Sequence, residues 1–394
     1  MAERAPWAPF RRIVASPALR ESLVAFVTVR LLGSLVAAIG LAGIPSLPMP
    51  AALGYLPAPG GPLYNATIGL WARWDAAWWL RVAELGYSPG NQGATFFPLF
   101  PLAIRALHAL GLPSLPAALL VSNGCFVAGL FFVHRLADMD LGGPEVARRA
   151  VWFQALYPGC VFCLAPYSEA PFLALAAGTF FAARTRRWWL VGLLGAAASA
   201  TRIVGVLLVA PLAVELAQQW RESSPRPPLR AAMALPAVPL GLAAFMLYWQ
   251  RTCGRPLEFL AQLQAWGRVP MAPWTTLRLG LAQATADFDR YPHAVYLLEA
   301  GAILGLLAVA VGGLRVLRPA YSVFLWLGVA PLLLNPAPIR IFCSLLRYSA
   351  VLFPAALVMA AVVRRPSTNE GIRLIFAGLF ALCTALFVTS QWML

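Results

Sequence analysis

The sequence predicts an all-α polytopic membrane protein. Three observations carry that prediction. Of 394 residues 60% are hydrophobic, only 11% are charged, and the basic residues lie in short clusters between apolar runs. Soluble domains carry about 25% charged residues, so a water-soluble particle of this length could not cover its surface. Lipid must be its main solvent.

A spanning helix needs about 20 mostly apolar residues. Eleven runs meet or approach that need: 19–43, 115–136, 147–165, 168–184, 187–203, 204–219, 231–250, 293–314, 319–336, 347–363 and 371–391. All 30 basic residues are arginine, against 15 acids, for a formal net charge of +15. They form no contiguous stripe, which excludes nucleic acid as a partner. Their clustering follows the positive-inside rule. With eleven alternating helices, the N-terminus, Arg148/Arg149, Arg184–Arg187, Arg221/Arg226/Arg230, Arg315/Arg318 and Arg364/Arg365/Arg373 all fall on the cytoplasmic side. Arg4, Arg11, Arg12 and Arg20 precede the first run with no small-residue cleavage site, the pattern of an uncleaved signal anchor.

Residues 1–394 then form one integral membrane domain, with 44–114, 166–168, 251–292 and 337–346 facing outward. The first extracytoplasmic loop, 44–114, begins with irregular, Pro- and Gly-rich chain over 43–64. Helical periodicity follows: Trp71, Trp74, Trp78, Val82 and Leu85 share one side, Arg73, Arg81 and Glu84 the other, with Gly86 as C-cap. Four tryptophans in nine residues suit the headgroup level. Residues 95–111, broken by Pro98 and Pro101, oppose Phe96, Phe100, Ala103, Leu107 and Leu110 to Arg105 and His108. That pattern also suits a helix lying in the interface. A crossing there would swap the sides of every downstream cluster. The second large outer loop is 251–292.

Acidic residues are few enough to weigh singly. Asp75 sits beside Trp74 and Trp78/Trp79, where desolvation would make its carboxylate a better base; the alternative is a carboxylate turned to water. Glu84 reads as a surface partner of Arg81, and Asp287 and Asp289 as solvated or capping. Ser168-Glu169, after Pro166, either caps the next helix or lines an outward cavity. Arg30, Arg202 and Arg347 are not explained by topology, and Arg340 lies near the last. An arginine at mid-helix costs about 2.5–3.5 kcal/mol on insertion scales. It persists either by binding something anionic, phosphate being suited to a guanidinium fork, or by snorkelling or pairing with a protein carboxylate. One outer carboxylate with several outer arginines suggests a lipid-linked phosphate substrate.

Other chemistries lack support. Cys160 and Cys163 form a lone CxxC, and the six cysteines read as small apolar helix residues. His108, His134 and His293 have no zinc-hydrolase spacing, and no nucleotide-binding glycine motif is present, so neither metal nor cofactor is expected.

The run Arg73-Trp74-Asp75…Leu80-Arg81-Val82-Ala83-Glu84-Leu85-Gly86-Tyr87, then Phe96-Phe97-Pro98-Leu99-Phe100-Pro101-Leu102, resembles the signature of the PIG-V mannosyltransferases. Pro158…Ala165-Pro166-Tyr167-Ser168-Glu169, Thr201-Arg202…Gly205 and Ser344-Leu345-Leu346-Arg347-Tyr348 follow in the same order, so the resemblance covers about residues 20–360. Phe100 replaces the usual tyrosine, and Leu346 a common proline. The resemblance implies a GT-C glycosyltransferase fold and an inverting transfer of mannose from a polyprenyl-phosphate donor. The acceptor would be an extracytoplasmic glycan, glycolipid or secreted protein. It implies Asp75 as general base, Arg202 and Arg347 as donor-phosphate ligands and Glu169 as a cavity or acceptor contact. Arg30, from its mid-helix position, is a further donor-phosphate candidate, and Arg73, Trp74, Ser168 and Tyr348, beside these residues in the motifs, are further candidates for the substrate cavity. The implied setting is a bacterial inner membrane, with the active site outside. A lipid-linked-glycan transporter or flippase is the alternative; it would use the arginines without a base.

Overall fold

The computed structural model describes residues 16–46, 60–90, 92–222, 224–265, 267–286, 293–337 and 340–391. Asp287, Asp289, Arg4, Arg11 and Arg12 lie outside these. Among the described residues the chain is helical and holds no strand, only one isolated bridge between Ala337 and Arg340.

Helix α1 (Pro17–Gly43) shows why the sequence builds spans. Ser16 accepts a hydrogen bond from the Leu19 N–H and Pro17 occupies the first turn, a pre-organised start. Its buried stripe is Ala18, Ser22, Ala25, Val29, Gly33, Ala37 and Gly40, all small but Val29, while Leu31, Leu35 and Ile39 face outward. Small residues let helix backbones approach closely where lipid supplies no hydrophobic drive. Leucine and isoleucine meet the acyl chains.

Helices α2 (Ala76–Leu85) and α3 (Leu99–Ala109) follow, then α4 (Ser114–Leu141), α5 (Pro144–Ala155), α6 (Glu169–Arg184), α7 (Trp188–Thr201), α8 (Val209–Glu222), α9 (Leu240–Cys253) and α10 (Glu258–Ala265). The chain closes with α11 (Pro273–Thr285), α12 (His293–Val316), α13 (Pro319–Leu334), α14 (Leu345–Ser349), α15 (Pro354–Val362) and α16 (Pro366–Val388). Among the described residues six helices are long and apolar enough to cross a membrane, or seven if Pro158–Leu164 and α6, bent by 100°, count as one broken span. This is an integral membrane protein.

Four of the eleven predicted runs differ from the continuous helices expected. The run 147–165 stops at Ala155 and resumes at Pro158; 204–219 opens as a 3-10 stretch, Ile203–Leu208, before α8; 231–250 is interrupted between Ala237 and Leu240; and 347–363 is split into α14 and α15. The remaining seven runs are found as expected within a few residues. Helix α3 has 11 residues, about 16 Å at 1.5 Å per residue, half the ~30 Å hydrocarbon core. It is too short to cross. Its buried side is Phe100, Pro101 and Ile104, and Leu110 is exposed, so the expected stripe is rotated.

The first loop also differs. No single helix covers 70–87: a 3-10 turn, Gly69–Trp71, is separated from α2 by Ala72–Asp75, with Trp74 at φ +57°. Trp71, Trp74, Trp78 and Trp79 are at most 5% exposed. The indoles expected at the headgroups are instead packed into the protein, against Phe96, Phe100 and Phe387.

Helix α6 joins the two ends of the bundle. Its last residue, Arg184, meets Asp140 at 2.6 Å and Glu215 at 3.0 Å; Arg318 reaches Glu215 at 3.3 Å, and Tyr321 donates to Asp140 at 2.6 Å. This network ties α4, α6, α8 and α13 at one end. Glu169, at the start of α6, stands at the other, about 22 Å away by helix rise.

Candidate active site

Charged side chains are rare in this chain, yet four converge around Glu169. Asp75 precedes α2 at the broken turn of the first loop, Glu169 opens α6, Arg202 ends α7, and Arg347 lies on α14. Arg347 donates through Nη1 to Asp75 Oδ2 and through Nε to Glu169 Oε1 at 2.5 Å. Arg202 donates through Nη1 to the same Glu169 oxygen at 2.6 Å and to Ser168 Oγ at 3.1 Å. Exposure is 8% at Asp75, 0% at Glu169 and 4% at Arg347. Buried charges of this kind survive only when paired, and these form a continuous line of alternating sign.

Backbone devices hold that line. Trp74 before Asp75 (φ +57°) and Ser344 before Arg347 (φ +61°) both occupy the left-handed region, uncommon for side-chain-bearing residues and concentrated at functional sites. Two glycines make room. A methyl on Gly159 would stand 1.9 Å from the Leu346 carbonyl oxygen, and one on Gly205 2.5 Å from that of Ala198. These backbones could not carry Arg347 and Arg202 to Glu169 with any larger residue.

Aromatic rings form the walls. The Arg347 guanidinium lies 4.7 Å from the centre of the Tyr167 ring, 5.6 Å from Tyr348 and 5.7 Å from Phe162. Tyr167 donates its hydroxyl to the Arg73 carbonyl at 2.8 Å, tying the α6 turn to the Arg73-Trp74-Asp75 turn. The buried Glu169 Oε2 accepts no hydrogen bond from the protein.

The predicted residues divide in two. Asp75, Ser168, Glu169, Arg202, Arg347 and Tyr348 come together, with Trp74 in the adjoining turn. Ser168 and Glu169 provide no side-chain cap for α6, though Glu169 lies in its first turn; both side chains bond Arg202. Asp75 is not an isolated carboxylate among indoles, as its neighbours suggested: a guanidinium engages it directly. Arg30 and Arg73 stand apart. Arg30 donates to the Leu164 carbonyl at 3.1 Å over the Trp71 ring (4.4 Å). Arg73 donates to the Val388 carbonyl at 2.9 Å, and burial lowers its pKa. Arg340 pairs with the buried Glu299 of α12 at 3.2 Å.

One residue of the site escaped the sequence. Arg268, in the segment between α10 and α11, lies 5.3 Å from the centre of the Tyr348 ring. Nothing in its neighbours marks it; only the path of the segment brings it there. No group of three His, Cys, Asp or Glu suited to a metal occurs among the described residues.

Known proteins give the following likenesses. The family model described as Mannosyltransferase (PIG-V) matches residues 62–247. GPI alpha-1,6-mannosyltransferase 2 of Cricetulus griseus is 38% identical over 157 residues, 37% of this chain and 32% of its own length. The Homo sapiens protein of the same name is 34% identical over 157 residues, with the same shares. The chain thus matches about a third of the length of these curated relatives. Among solved structures, the Archaeoglobus fulgidus oligosaccharyltransferase in the apo form has a TM-score of 0.42 at 10% identity, covering 94% of this chain and 56% of that one. The chain is PIG-V-like over residues 62–247, the stretch that builds three of the four charged groups of the site, Asp75, Glu169 and Arg202.

Proposed function

We propose that this protein is an inverting membrane glycosyltransferase. It moves a mannosyl residue from a polyprenyl-phosphate-mannose donor to an extracytoplasmic glycan or glycolipid. The observation that carries this reading is the buried line Asp75–Arg347–Glu169–Arg202, a base and its phosphate ligands in direct contact. The PIG-V likeness of residues 62–247 supports a mannosyl donor.

In the reaction, the acceptor hydroxyl attacks C1 of the sugar from the face opposite the phosphate. The new C–O bond forms as the C1–O bond to phosphate breaks, and polyprenyl phosphate leaves with the bonding pair. Asp75 takes the acceptor proton. Arg347 and Arg202 neutralise the charge developing on the leaving phosphate. Because Arg347 holds Asp75, a donor phosphate competes with the carboxylate for one guanidinium. Donor binding therefore loosens the Asp75–Arg347 pair and releases the base when the leaving group is in place. Glu169 keeps both arginines oriented, and its free Oε2 suits a sugar hydroxyl.

A positioned base contributes about 10²–10⁴-fold. Offering radiolabelled polyprenyl-phosphate sugars to the purified protein and identifying products by mass spectrometry tests the proposal. A mannosylated acceptor with stoichiometric polyprenyl phosphate is expected. Lipid movement across vesicles with no sugar transfer would refute it and favour the flippase.

A further inference from the structure

The charges of the site balance in a telling way. Asp75 and Glu169 offset Arg347 and Arg202 one for one, through direct hydrogen bonds. Such a quartet carries no surplus positive charge for an incoming phosphodiester. Capture of an anion by these four alone would require breaking a buried pair first, which is costly.

Arg268 supplies the missing charge. Its Nη1 donates to the Asn335 carbonyl at 2.9 Å, and its Nη2 lies 3.5 Å from both the Cys343 carbonyl and the Tyr348 hydroxyl. These partners are neutral, and among the described residues no carboxylate forms an ion pair with it. The side chain is half-buried, open enough to be reached and dry enough for its charge to count. Two backbone bonds fix its segment beside the site: Val269 N–H to the Pro336 carbonyl at 3.1 Å and Met271 N–H to the Leu334 carbonyl at 2.9 Å. The Tyr348 ring is the common reference point, with Arg268 at 5.3 Å, Arg202 at 5.4 Å and Arg347 at 5.6 Å from its centre. Three guanidiniums thus share one neighbourhood, and only Arg268 is uncommitted to a carboxylate.

We infer that Arg268 is the residue that first captures the phosphate of the lipid-linked donor, a role that rests on the transferase reading above. The surplus charge draws the phosphodiester to Tyr348, beside the paired arginines. Arg202 and Arg347 then exchange carboxylate for phosphate only as the reaction needs them.

The test uses the full-length purified protein in detergent, with a polyprenyl phosphate and the corresponding neutral polyprenol as probes. Wild type is expected to prefer the phosphate. Arg268→Gln should lower affinity for the phosphate about tenfold or more, as loss of a charge-assisted contact does, and leave polyprenol affinity unchanged. Arg268→Lys should recover part of the loss, since it restores charge without the fork. In turnover assays the donor KM should rise while the acceptor KM stays constant. Phosphate affinity unchanged in Arg268→Gln would overturn the inference. So would equal losses for phosphate and polyprenol, which mark Arg268 as a prop for residues 335–343. If wild type transfers sugar while Arg268→Gln binds phosphate normally, only this inference falls. If wild type shows no preference for the phosphate, the transferase reading falls with it.

Discussion

Arg347 holds two carboxylates with different atoms of one guanidinium, Nη1 on Asp75 and Nε on Glu169. Those carboxylates come from the loop before α2 and from the start of α6, 94 residues apart in sequence. The side chain thus fastens Asp75, the proposed base, to the bundle and places a positive charge beside it.

Replacing Asp75 by Asn removes the base but keeps the side-chain shape. Turnover should fall by about 10²–10⁴-fold, with polyprenyl-phosphate affinity equal to or above that of wild type, because Arg347 loses its internal competitor. Single-turnover kinetics and a binding titration measure the two effects separately.

Glu169→Gln leaves two buried arginines facing an amide. Removal of one partner from a buried ion pair costs about 3–5 kcal/mol, so thermal unfolding in detergent should shift down by several degrees. Adding Arg202→Met to Glu169→Gln should cost less than the two single losses together, as a double-mutant cycle would show.

Gly159→Ala tests the packing behind Arg347. The added methyl meets the Leu346 carbonyl, and overpacking of this kind costs about 1–3 kcal/mol. Turnover should fall further than the stability loss explains, since Arg347 moves with Leu346. Parallel measurement of Tm and kcat distinguishes the two effects.

Glu299 and Arg340 form a second buried pair, 0% and 5% exposed. Glu299→Leu alone should be strongly destabilising, by about 3–5 kcal/mol. The double variant Glu299→Leu/Arg340→Leu should regain much of that in thermal unfolding.

The positive-inside reading can be checked with cysteine labels at exposed Ser88 and Ser367, near opposite ends of the bundle. A membrane-impermeant maleimide should label Ser88→Cys on intact cells, and Ser367→Cys only after permeabilisation. The reverse pattern would invert the orientation.

Asp75, Glu169, Arg202 and Arg347 were legible in the sequence because a charge within an apolar run has few reasons to be there. Most spans were legible for the same reason: hydrophobic length is a local property. The breaks were not. Nothing near Trp74 signals its positive φ, and the 100° bend before α6 follows from how Pro158–Leu164 packs on α14 and α16. The four tryptophans misled because an indole suits a headgroup and a protein interior equally well, and only the surrounding helices decide. Arg268 stayed hidden because its position depends on backbone pairing with residues more than sixty positions later.

Arg30 bears on how the protein is made. Its partner, the Leu164 carbonyl, lies 134 residues further along the chain. During synthesis the first span therefore enters the bilayer with a bare guanidinium, at a cost of about 2.5–3.5 kcal/mol. The debt is settled only when the bent segment before α6 arrives, and α1 packs fully only when the last helix, α16, is in place. Helix α1 is thus secured only by residues made long after it, and a chain stalled before residue 164 would present quality-control machinery with a charged, unclaimed helix.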